Sequence, residues 1–162
     1  MAIYLYYDDG KIEGNVTAEG FEEHVKVSSV DFGVSRPITM EAGKMANREV
    51  GKPNITEVTL TKKADNSVAA LFKESVSGST GKNAILKFTR TGSDSVEAFM
   101  EYSLQDCLVS GYHISAEGDA EPEETITLSF SKCEINYKDT DASNKTGNPK
   151  RAGYDLAKAV PL

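Results

Sequence analysis

Side chains able to act as nucleophiles, bases or ligands are few in this chain, and they do not converge. His24 and His113 lie far apart on different strand-like segments. Neither stands at a metal-ligand spacing from a second ligand, so both read as surface or satisfied core histidines. No serine sits in a G-x-S-x-G elbow or an S-x-x-K motif, and no phosphate-binding glycine pattern opens a helix. Asp139, Asp141 and Ser143 alternate like the first ligands of a calcium loop. Asn144 then stands where that loop requires glycine, and Lys150 where it requires a bidentate glutamate. The run "EGDAEPEE" (117–124) reads as a solvated acidic turn, with nothing apolar placed to raise a carboxyl pKa. Cys107 and Cys133 fall inside strand-like segments and read as two buried thiols, with a disulfide as the alternative. These residues predict no catalytic centre, no metal site and no cofactor.

The elements that must position these side chains are mostly strands. Alternating or β-branched runs occur at 2–8, 23–34, 54–63, 83–92, 95–104, 106–115 and 124–138. "DDG" (8–10) turns the chain, and 11–16 is expected to continue the first strand. One segment, "DNSVAALFKESVSG" (65–78), has helical spacing instead. Val68, Leu71, Phe72 and Val76 form its apolar stripe, which is expected to be core; Asp65 or Ser67 can cap its start and Gly78 its end. The architecture this predicts is mainly β: a small antiparallel barrel of two packed sheets with one flanking helix, in a single domain over 1–162.

Two segments carry a further signal. In "ETITLSFSKCEINYKD" (124–139), Ile126, Leu128 and Phe130 share one parity, whereas Cys133, Ile135 and Tyr137 share the other. In 23–34 the parity switches from Val25 and Val27 to Val30, Phe32 and Val34. Successive side chains of a strand point to opposite faces, so a parity switch puts apolar groups on both faces, or marks a bulge. Read as one strand, 124–138 has more apolar surface than one barrel needs. The excess is expected to be covered by a second copy, with packing inside the monomer as the alternative. The segment "SRPITMEAGKMANREVGKP" (35–53) is long enough to be a functional loop.

The hydrophobic content of 39% and charged content of 27% fit a folded domain, and the net charge of −7 argues against a nucleic-acid surface. No run approaches the roughly 18–20 apolar residues of a membrane span, and the first residues have no secretory-signal pattern. The expectation is a protein folded in the cytoplasm.

In order and spacing the chain resembles the haemolysin-coregulated protein (Hcp) family, the tube protein of bacterial type VI secretion systems. The segments that carry this are "YYDDGKIEGN", "VDFGVSRP", "VTLTKKADNSVAALFKESVSG", "AFMEYSLQDCLVSGYHIS", "EETITLSFSKCEINY" and "GYDLA". Tyr154 stands where the family often has tryptophan, and Cys133 where an aliphatic residue is common.

The resemblance implies a homohexameric ring that stacks into a tube, driven by a contractile sheath, tipped by a spike protein and able to carry small effectors. It also implies secretion through the apparatus without a cleaved signal peptide. Ser29 and Asp31 are then candidates to face the lumen. Arg36, Pro37, Ile38, Met40, Lys44, Met45 and Arg48 are candidates for ring-to-ring contact. A phage-type tail-tube protein and a monomeric ligand-binding barrel are the alternatives.

Overall fold

The parity switches prove to be corners at which the chain leaves one sheet and enters another. In the computed structural model, which describes residues 1–40, 42–43, 48–92, 94–141, 143 and 145–162, the segment 23–34 breaks at Ser28. Before the break lies β2 (Val25–Val27), paired antiparallel with β1 (Ala2–Tyr7). After it lies β3 (Ser29–Asp31), followed by β4 (Val34–Ser35). β3 pairs with β8 (Val58–Lys63) in the other sheet.

The segment 124–138 breaks in the same way at Phe130 and Ser131, giving β11 (Glu123–Ser129) and β12 (Lys132–Tyr137). Ile126, Leu128 and Phe130 on one side of the break, and Cys133 on the other, all reach one continuous core. This corrects the single-strand expectation for both segments. A strand that turns a corner between packed sheets must invert its parity to keep facing the same interior.

One strand does run through both sheets. Residues 95–104 and 106–115 fuse into β10 (Val96–Ser115), 20 residues long. Its first half pairs with β9 (Lys82–Thr91) and with β12, and its second half with β11. The ladder shifts register between Leu104 and Cys107, where Asp106 adopts φ +54°, and again between Val109 and Gly111. Such bulges bend a strand and increase its twist, which is how β10 passes from one sheet to the other.

The first sheet therefore runs β2-β1-β9-β10-β12-β13-β14, with β13 at Lys150–Asp155 and β14 at Val160–Pro161. The second runs β10-β11-β8-β3. Among the described residues this ladder does not close on itself, so the barrel is open. β13 and β14 follow the segment expected to be the last strand; alternation in "KRAGYDL" is too short and too interrupted by Gly153 to announce them. Residues 11–16 form no strand: Asp8–Gly10 make a 3₁₀ turn and only an isolated bridge joins Tyr7 to Ile12.

The interior is filled by Leu5, Tyr7, Val25, Leu60, Leu86, Leu104, Ile126 and Leu128, with Leu71 reaching in from the helix. That helix, α1 (Val68–Ser77), packs against β10. Ser67 occupies its N-cap position without a side-chain cap. Asp65 instead accepts hydrogen bonds from the Ser67 backbone N–H (2.9 Å) and hydroxyl. The segment 35–53 is not structureless. It folds on itself as β5 (Ile38–Met40) paired with β6 (Arg48–Val50), standing on a base formed by β4 and β7 (Asn54–Ile55).

Candidate assembly surfaces

The apolar stripe of α1 is only partly core. Leu71 is fully buried, but Phe72 is 53% exposed and Val76 66% exposed, contrary to the expectation for this stripe. The helix packs on β10 by one narrow edge, so residues one position round the wheel from Leu71 remain outside. The Phe72 ring meets Tyr112 of β10 edge-on, with centroids 5.8 Å apart, and Ile114 extends the apolar strip along β10.

A second exposed apolar surface follows the arm. Val34 at its base, Ile38 and Met40 on β5 and Val50 on β6 are each more than half exposed. Of the candidate ring-contact residues, Arg36, Pro37, Ile38 and Met40 are exposed on this arm. Arg48 lies on β6, and its side chain is outside the described residues, as are Lys44 and Met45. At the foot of the arm lies an apolar groove of about 210 Å³, bounded by Phe32, Val34, Pro53 and Ile55 on one side and Ile135 and Tyr154 on the other.

Ser29 and Asp31 are exposed on β3, and the partly buried Val30 between them faces the other way. Strand register places Ser29 beside Thr61, then Thr125, then His113; Asp31 lies beside Thr59, then Thr127. The Ser29 and Thr61 hydroxyls hydrogen-bond to each other. Ser110, at the bulge of β10, donates to Glu57 at 2.8 Å. The outer face of the second sheet is thus lined mainly with hydroxyls, and Asp31 is set among them, not in an acidic cluster.

Beneath the helix the fold holds a buried polar network that the acidic-turn interpretation of 117–124 overlooks. Lys62 on β8 and Glu124 on β11 sit directly opposite each other, are both fully buried, and form an ion pair. Asp65 lies 3.1 Å from the same ammonium, and the Tyr112 hydroxyl donates to Glu124 Oε1 at 2.6 Å. Burial, reinforced by that hydrogen bond to Glu124, pushes the Tyr112 phenol up to about 12. The signal was available in the alternation: Lys62 shares the parity of Val58 and Leu60, and Glu124 that of Ile126 and Leu128. A charged residue on the inward parity of two adjacent strands needs a partner of opposite sign.

His24 is a satisfied histidine. Its ring stacks on Tyr6 at 5.0 Å, with Phe21 edge-on at 5.7 Å. Nδ1 lies 3.1 Å from the Glu22 carbonyl, so it carries the proton, and Nε2 then accepts from Lys87 Nζ at 3.1 Å. Burial, aided by the Lys87 charge, holds its pKa below the ordinary histidine value. Both cysteines are free and buried, and burial pushes the Cys107 thiol up to about 12. Asp141, second in the calcium-like pattern, instead accepts from the backbone N–H groups of Ser143 (2.8 Å) and Lys145 (3.0 Å), closing the loop on itself. Among the described residues no group of three or more His, Cys, Asp or Glu is placed to hold a metal, and no helix is long and apolar enough to cross a membrane.

Comparison with known proteins adds a family to this geometry. Among curated proteins, none matches the chain. Among solved structures, a type six secretion system protein superposes with TM-score 0.89 at 24% identity, over 99% of each chain. Hcp1 from Salmonella typhimurium superposes with TM-score 0.73 at 22% identity over all of both chains. Hcp1 from E. coli EAEC 042 does so with TM-score 0.73 at 21% identity, covering 96% of this chain and 99% of its own. At these identities the likeness concerns the fold. The sequence model of the family described as "Type VI secretion system effector, Hcp" matches residues 4–137, and this chain belongs to that family.

Proposed function

We propose that this protein is the structural tube subunit of a type VI secretion system, closing into homohexameric rings that stack into a tube. The observation that carries the proposal is the grouping of exposed large apolar side chains on two separate surfaces, the α1 strip and the arm with its groove. Scattered apolar residues are ordinary on a monomer; contiguous ones mark contact surfaces. Two different patches on one chain suit a heterologous contact, which gives a closed ring when the rotation closes and an open filament when it does not. Beyond its base the arm forms a ladder of its own and exposes Pro37, Ile38 and Met40, which supports a role for that part in contact between successive rings.

In this proposal the hydroxyl face bearing Ser29 and Asp31 lines the lumen. Threonine and serine hydroxyls donate and accept in any direction, so such a wall suits small effectors of varied sequence more than one strongly basic cargo. The sheath surrounds the tube and the spike caps it, as the resemblance implies. The interior of the barrel is occupied by its own core side chains, which leaves the ligand-binding-barrel alternative without support there.

Native mass spectrometry or light scattering on the purified protein tests this. The expected species is near six times 17.5 kDa. A monomer that persists at every concentration overturns the proposal.

A further inference from the structure

The two exposed surfaces differ in the charge that borders them. The α1 strip, Phe72 and Val76 with Ile114, runs to the β10–β11 hairpin, where Glu117, Asp119, Glu121 and Glu123 are all exposed. Only Glu121 of these has an ion-pair partner among the described residues, Lys63 at 3.2 Å. The groove at the foot of the arm is bordered by cations: Arg36 and Lys52 flank its β4–β7 base, and Lys150 shares the parity of Ala152 and Tyr154 that line it. None of these three pairs with a carboxylate among the described residues.

One surface is therefore a convex apolar ridge with an acidic border, and the other a concave apolar groove with a basic border. They also lie towards opposite ends of the second sheet's strands. The hairpin flanks Lys63, the last residue of β8, through the Glu123–Lys63 pairing. The groove begins at Phe32, just past Asp31, which pairs with Thr59 near the start of β8. From Thr59 to Lys63 is four residue steps along the strand, roughly 13 Å at about 3.3 Å per step.

Building on the ring proposed above, we infer that the contact between neighbouring subunits seats the α1 ridge and acidic hairpin of one copy in the apolar groove and basic border of the next. A second copy is the occupant because it satisfies both surfaces at once, in apolar shape and in sign of charge. Any other partner would cover one surface and leave its complement bare. The apolar contact supplies the affinity, while the bordering charges set orientation and association rate and disfavour ridge-to-ridge or groove-to-groove pairing.

The test is a charge swap followed by mixing. One variant carries Glu117→Lys, Asp119→Lys and Glu123→Lys; the other carries Arg36→Glu, Lys52→Glu and Lys150→Glu. Each alone brings like charges together, and its ring-assembly midpoint, read by light scattering, is expected to rise by roughly tenfold or more. An equimolar mixture is expected to reassemble near the wild-type midpoint as rings of alternating variants, since every contact is then complementary again. Phe72→Asp with Val76→Asp is expected to abolish the ring while moving the thermal midpoint of the fold by only a few degrees, because Val76 is mostly exposed and Phe72 meets the body through the Tyr112 ring.

Three outcomes overturn the pairing while leaving the ring intact. They are swapped variants that assemble like wild type, a mixture that fails to rescue, and impaired assembly of the groove variant with the hairpin variant assembling like wild type. A wild-type protein that is monomeric throughout overturns the ring proposal itself, and this inference with it.

Discussion

At the scale of single residues, the Lys62–Glu124 pair with Asp65 and Tyr112 is the most exacting feature of the fold. Removing one charge from a buried pair leaves the other uncompensated, whereas replacing both with apolar groups can be neutral or better. Lys62→Met is therefore expected to lower unfolding stability by about 3–5 kcal/mol in denaturant titration. The double variant Lys62→Met, Glu124→Leu should recover most of that loss; a double variant no more stable than the single would show that the pair is not the source. His24 gives a pH signature with a definite sign. Its folded pKa lies below the ordinary value of 6.5, so the unfolded chain takes up a proton that the folded one refuses. The His24 contribution is complete above pH 6.5 and declines as pH falls below it. In His24→Gln the fall in thermal midpoint just below pH 6.5 should be visibly flatter. Asp141 and Glu22 also have lowered pKa values, through backbone hydrogen bonds, but as carboxylates they titrate at more acidic pH and leave that window clear.

At the scale of elements, the arm and the sheets are nearly separate structures. Among the described residues β5 and β6 pair only with each other, in a ladder closed at its foot by a hydrogen bond from Gly51 N–H to the Pro37 carbonyl at 2.8 Å. The hairpin joins the body through β4, β7 and the hydrogen bond from Thr56 N–H to the Gly33 carbonyl at 2.9 Å. Replacing residues 38–50 by a two-residue Asn-Gly turn should shift the thermal midpoint by no more than a few degrees, since none of the described residues in that range belongs to the core. The same change should prevent rings from stacking, read as loss of tubes by negative-stain microscopy while the ring mass persists. Strand alternation located β1, β8, β9 and β11 and showed that something happens near Ser28 and Phe130. It could not say what, because a bulge, a two-sided strand and a corner between sheets all give the same switch of parity. The α1 stripe illustrates a similar limit. Spacing shows which helix residues share a face, not how much of that face the neighbouring strand covers, and β10 reaches Leu71 but leaves Phe72 and Val76 bare.

At the scale of the whole molecule, assembly should combine a salt-sensitive rate with a salt-tolerant final state. Raising ionic strength from 0.1 to 1 M shortens the Debye length from about 10 to about 3 Å, which screens the bordering carboxylates and cations. Rings diluted to monomer and returned to high concentration should then re-form more slowly at 1 M salt, followed by stopped-flow light scattering. The mass reached at the end should be unchanged, since apolar contact is not screened; a ring that dissolves in salt would show that charge, not the ridge and groove, holds it. The sequence by itself determined the class of fold, the single helix, the family and the absence of a recognisable catalytic motif, because each of these is written in local periodicity or in the order of short segments. Only the tertiary structure decided that the two parity switches are corners serving one core, that Lys62 and Glu124 meet there, and that two apolar surfaces with opposite charge at their borders stand apart, one on the helix and the β10–β11 hairpin and the other at the foot of the arm. Those facts depend on which strands become neighbours, and pairing between segments as distant as β8 and β11 is fixed by packing the whole chain, not by any stretch of it.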